Sequence, residues 1–138
     1  MSSIIFLTLE EVCLLYKQLI EKFGGSFGIR DINLLESAIA QPQSLAFGEY
    51  LHKDIHEMAA AYCFHIIKNH PFVDGNKRTG LLSAITFLDK NGFIVQADTE
   101  SLYQCAINIA TSAWSKQDIS LFFKYSTRPT KDTEETSI

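Results

Sequence analysis

The chain has 138 residues, 46% of them hydrophobic and 20% charged, and a formal net charge of −4. That length suits one domain with a real core, and sixteen aromatics are too many for a disordered polypeptide. The acidic balance argues against direct nucleic-acid binding, which needs a basic surface to displace counterions.

Helical signals dominate. Thr8 and Glu11 form a capping box ahead of Val12, Leu15, Tyr16, Leu19 and Ile20, and Gly24-Gly25 supplies the stop. Asp31, or the Asn33/Glu36 pair, caps a second helix that carries Leu34, Leu35, Ala38 and Ile39 and ends before Pro42. Residues 43–51 have loop character, with a weak alternation that suggests a short extended flap. Asp54 and Glu57 open an alanine-rich helix running to about Asn69, expected to be the most buried one. After the break at His70-Pro71, another helix begins near Asn76. Its apolar stripe is read as Leu81, Leu82, Ile85 and Leu88, and Asn91-Gly92 ends it.

Phe93–Gln96 reads as a brief strand or extended link. Asp98 or Thr99 caps a helix with Leu102, Ala106, Ile109, Ala110 and Ala113, and Ser115 and Asp118 start a last one through Phe123. From Ser126 the chain is polar, so residues 126–138 are expected to form a disordered tail behind a single domain over 1–125. No internal repeat is visible. The expected fold is all-α: a compact bundle of about six helices with a possible short β flap.

Apolar runs such as Met58–Phe64 fall far short of the ~20 residues that cross a bilayer. The opening residues lack the basic flank and cleavage site of a signal peptide. A cytoplasmic protein is expected, with no membrane partner. Cys13, Cys63 and Cys105 lie in apolar stretches without CxxC spacing and read as buried free thiols. His52, His56 and His65 lack a convergent further ligand and are not read as a metal cluster. Arg30 and Asp31 read as a local pair at a helix start.

The chemistry concentrates between the two central helices, in His70-Pro71-Phe72-Val73-Asp74-Gly75-Asn76-Lys77-Arg78-Thr79-Gly80. Pro71 cannot continue the incoming helix, and Gly75 permits an unusual backbone angle. The outgoing helix presents free N–H groups, and Lys77 and Arg78 stand in its first turn. Two cations there oppose the helix dipole, an arrangement an anion such as phosphate would relieve. Asp74 is a suitable oxygen ligand for Mg²⁺. Asn76 can hold a phosphate oxygen, and His70 can take a proton from an attacking hydroxyl near neutral pH. Each residue also has an ordinary reading: His70 as a helix end, Asp74 or Asn76 as an N-cap, the cations as a solvated face.

This segment resembles the signature of the Fic/Doc fold, and Asn76-Lys77-Arg78-Thr79 is similar to its death-on-curing (Doc) branch. Thr8–Val12, Gly28–Gln43 and Phe87–Gly92 are similar to that branch as well, so the likeness spans roughly residues 5–125. The resemblance implies His70 as general base, Asp74 as metal ligand, Asn76 and Arg78 as phosphate contacts and Phe72 as a core anchor. The expected catalytic set is therefore His70, Asp74, Lys77 and Arg78. The expected phosphate site is Gly75, Asn76, Lys77, Arg78 and Thr79.

Adenylyl-transferring relatives carry glycine at the position of Lys77, and a second arginine where this chain has Leu81. The resemblance thus implies a toxin kinase that uses ATP and Mg²⁺, with elongation factor Tu as the family's target. An adenylyltransferase tolerating Lys77, and an idle binding module, are the alternatives. Phe47, Gly48, Glu49 and Tyr50 fall where Fic-type enzymes lay the target peptide along a flap. Thr130 and Glu134 are the nearest approach to the family's inhibitory helix, but their surroundings lack an apolar helical face. Restraint in trans by a cognate antitoxin is therefore expected.

Overall fold

In the computed structural model, which describes residues 3–130, the chain forms six α-helices and two small antiparallel strand pairs. The helices are α1 (Leu9–Phe23), α2 (Ile32–Ala40), α3 (Ile55–Asn69), α4 (Asn76–Lys90), α5 (Thr99–Ala110) and α6 (Lys116–Ser126). Pro42 lies in a short 3-10 turn, Gln41–Gln43, that follows α2. None of the described helices is long and apolar enough to cross a membrane.

Local chemistry explains where the helices begin. Thr8, Asp54 and Ser115 each make a full capping box, while Asp31 and Asp98 cap α2 and α5 by accepting a backbone N–H. Helix α4 differs from all five. It starts at Gly75 in the left-handed conformation, φ 79°, with no side chain capping its free N–H groups.

The core is built around α3, whose Met58–Cys63, Ile66 and Ile67 are buried and which packs against α2, α4, α5 and α6. Tyr16, Tyr62, Phe72, Phe87 and Phe123 are its largest fully buried rings. Where α3 meets α4 the approach is close. A Cβ on Gly80 would stand 2.9 Å from Ile67 Cγ1 and 3.1 Å from the Cys63 carbonyl. Lys90 closes the outer edge with a 2.6 Å ion pair to Glu11 of α1.

The structure corrects three expectations here. The buried face of α4 is Asn76, Thr79, Gly80, Ser83, Ala84, Phe87 and Leu88, whereas Leu81, Leu82 and Ile85 are half-buried. Gly80 lies where α3 comes close, and the Thr79 and Ser83 hydroxyls are buried without a hydrogen-bond partner among the described residues. Second, the chain just past α6 is ordered. Strand β4 (Thr127–Pro129) pairs antiparallel with β3 (Phe93–Val95), and His56 Nε2 lies 2.9 Å from Thr127 Oγ1. Backbone pairing, not apolar burial, holds this segment, so its polarity concealed it. Residues 131–138, and with them Glu134, lie outside the described residues. Third, Cys13 is only half-buried, while Cys63 and Cys105 are buried; all three are free thiols.

The expected flap is a hairpin: β1 (Leu45–Ala46) pairs with β2 (Glu49–Tyr50) around a Phe47-Gly48 turn. Both turn residues have positive φ, and Phe47 is fully exposed at the tip.

Candidate active site

The segment between α3 and α4 is held from beneath. Phe72 is fully buried and stacks on Tyr16 at a ring-centroid distance of 3.9 Å. The Asn76 side chain closes a ring with the Phe72 backbone: Oδ1 accepts from Phe72 N–H, and Nδ2 donates to its carbonyl, both at 3.0 Å. Asn76 is buried and its amide shapes the loop, while the residue also lines the cleft beside His70. Thr79, also expected at the phosphates, is fully buried, its hydroxyl included. Helical periodicity puts Asn76, Thr79 and Gly80 on one face, and leaves Lys77 and Arg78 exposed on the other.

His70 ends α3. Its N–H donates to the Ile66 carbonyl at 3.2 Å, and its backbone is left-handed, φ 51° and ψ 54°. The residue is exposed, and its imidazole makes no hydrogen bond among the described residues. His70, Asp74, Gly75, Asn76 and Lys77 line one cleft of about 250 Å³, with Lys68, Ile67 and Ala110 completing the wall. That is below the ~300–1,000 Å³ usual for a drug-sized ligand, and suits a phosphate end or a single side chain.

Asp74 stands on a ridge. Its Oδ1 accepts from Gly75 N–H at 3.0 Å, and its Oδ2 accepts from Ser26 N–H at 3.3 Å. Gly25, with φ 113°, makes room for it: a Cβ there would lie 2.7 Å from Asp74 Oδ2. On the far side of the ridge lies a second cleft, also about 250 Å³, lined by Leu19, Ile20, Phe23, Gly24, Gly25 and Arg78. The Arg78 guanidinium sits 4.6 Å from the centre of the Phe23 ring. The two neighbouring cations therefore serve different clefts, Lys77 beside His70 and Arg78 beside α1.

Reading the sequence missed two contributors. Lys68 lines the His70 cleft and its ammonium bonds the Ser112 hydroxyl, which no local pattern announces. Arg30 does not pair with Asp31. Asp31 caps α2, and Arg30 bonds the carbonyls of Asn69 and His70. The remaining histidines lie elsewhere. His52 and His65 both face Lys116, with Nε2···Nζ distances of 3.4 and 3.2 Å. Burial, then Lys116 and His52, hold the His65 pKa down to about 4, and burial lowers those of His52 and Lys116. Among the described residues, no cluster of three or more His, Cys, Asp or Glu could hold a metal ion.

Comparison with known proteins bears on this geometry. Residues 6–88 match the model of the Fic/DOC family. A protein named Toxin Doc, from Mycolicibacterium smegmatis, is 42% identical over 76 residues, covering 55% of this chain and 58% of that protein. Protein kinase doc of Escherichia phage P1 is 33% identical over 110 residues, covering 80% of this chain and 86% of the phage protein.

Proposed function

The chain belongs to the Fic/DOC family, and from that premise we propose that it is a toxin that transfers the terminal phosphate of ATP to a protein hydroxyl. His70 takes the proton from the target hydroxyl. The hydroxyl oxygen bonds to the terminal phosphorus, the bond to the bridging oxygen breaks, and ADP leaves. Lys77 and the uncapped N–H groups of α4 receive phosphate charge. Asp74 is suited to Mg²⁺: it is exposed, accepts only two backbone N–H groups among the described residues, and fronts both clefts. Such an ion, bound by one carboxylate with phosphate oxygens and water, would neutralise charge on the transferred group.

One observation carries the choice of phosphoryl over adenylyl transfer. Lys77 fills the side of the His70 cleft, while Arg78 turns to the second cleft over Phe23. The name of the phage relative supports the same choice. The proposed target is elongation factor Tu. The β1–β2 hairpin, with Phe47 and Gly48 at its tip and Glu49 and Tyr50 on its second strand, is the proposed seat of the target peptide. A cognate antitoxin, acting in trans in the cytoplasm, is the proposed restraint.

The test is incubation with Mg²⁺-ATP and elongation factor Tu, followed by mass analysis of target peptides. A phosphoryl increment is expected, and His70→Ala should reduce its rate about 10²–10⁴-fold. An adenylyl increment sinks the kinase reading in favour of AMP transfer, and no increment at all removes elongation factor Tu as the target.

A further inference from the structure

Two segments far apart in the chain lie side by side at the site. Ile29 and Phe72 form an isolated antiparallel bridge, and Val73 N–H donates to the Gly28 carbonyl at 2.9 Å. The Pro71 carbonyl accepts from two backbone N–H groups, Arg30 at 2.7 Å and Asp31 at 3.1 Å. The Arg30 side chain then reaches the two preceding carbonyls: Nε donates to His70 at 2.7 Å, and a terminal nitrogen donates to Asn69 at 3.0 Å. Three consecutive carbonyls, 69 to 71, are thus taken by Arg30 and its neighbour.

We infer that Arg30 is a positioning residue for His70. The carbonyl of Asn69 marks the peptide plane before the His70 Cα, and the carbonyl of His70 marks the plane after it. One planar guanidinium holds both, so it holds φ and ψ of the histidine together. The conformation it holds is left-handed, which a non-glycine residue adopts at some strain and leaves when unsupported. Releasing the fork frees the backbone that carries the imidazole beside the cleft. An arginine at helix-end carbonyls also stabilises a helix in general. That role would show in stability alone; positioning shows at His70 with stability kept. The catalytic consequence rests on the proposed role of His70, whereas the backbone consequence does not.

The experiment compares wild type with Arg30→Gln and Arg30→Lys in two readouts. In amide and imidazole NMR, with His70 assigned by its loss in His70→Ala, the His70 signals of Arg30→Gln are expected to shift and broaden while those of His65 stay in place. In Arg30→Lys, which keeps the charge but not the fork, the change is expected to be intermediate. In the transfer assay, kcat is expected to fall about 10–100-fold with KM for ATP within about twofold. His70 signals at wild-type positions in folded Arg30→Gln overturn the inference. If that variant does not fold, wild-type His70 signals and kcat in Arg30→Lys overturn it. Should wild type transfer nothing, the functional reading has failed, and the NMR comparison still decides the role of Arg30.

Discussion

His65 and His70 stand five residues apart at the end of the same helix, and the fold gives them opposite properties. His65 is half-buried beside Lys116 and His52, and its pKa is held down to about 4, so it is neutral across the physiological range. His70 is exposed in a left-handed turn, its ring free of hydrogen bonds among the described residues and fronting a cleft with Asp74 and Lys77. The difference comes from the last turn of α3. While the helix continues, its side chains are committed to the neighbouring helices, and where it ends the chain turns a histidine outward. Exposure of a histidine ring to the cleft follows from where the helix stops, and residue type alone does not decide it.

Substitution at the two histidines puts the contrast under the greatest load. Against the 10²–10⁴-fold loss expected for His70→Ala, His65→Ala should leave transfer within about twofold and alter thermal stability instead. Equal losses of transfer in both variants would erase the distinction.

A smaller effect probes the His70 side through its neighbour. Gly25→Ala sets a Cβ against the Asp74 carboxylate at a φ of 113°, which disfavours any side chain. Destabilisation of about 1–3 kcal/mol is expected in denaturant melts, with transfer lowered about tenfold as the carboxylate shifts.

Smaller still is a pH effect on the His65 side. An unfolded histidine here ionises near 6.5, and the folded one near 4. Between those values the unfolded chain binds a proton that the folded chain refuses, so stability is full above pH 6.5 and falls as the pH drops toward 4. Because the ring is partly exposed, the loss is expected to be on the order of 1–2 kcal/mol. Melts of wild type and His65→Ala across that range check it. The variant should show the shallower slope, and parallel slopes would assign the proton elsewhere.

How legible these regions were in the sequence depends on the reach of the interactions. The caps at Thr8, Asp54 and Ser115 are completed within three residues, and each lies where local pattern places it. The break at His70-Pro71 and the left-handed Gly75 are local too. Strand β4 was illegible because its partner, β3, lies some thirty residues upstream and its own composition is polar. The target of Arg30 was hidden for the same reason, forty positions along the chain. The stripe of α4 was misjudged because hydropathy counts Gly80, Thr79 and Ser83 as polar, whereas all three are buried and close approach to α3 selects Gly80 for size. For Asn76, the residue type was legible as part of the motif, but its hydrogen bonds turn inward to the loop.

The buried face of α4 also holds a reserve of stability that the protein leaves unused. Buried hydroxyls without partners forfeit their hydration for nothing in return. Thr79→Val and Ser83→Ala are each expected to raise the unfolding free energy by about 0.5–1 kcal/mol in denaturant titrations, with transfer unchanged. Both positions face away from Lys77 and Arg78. The scaffold can therefore be hardened from the inside while its reactive surface is left free to be redesigned.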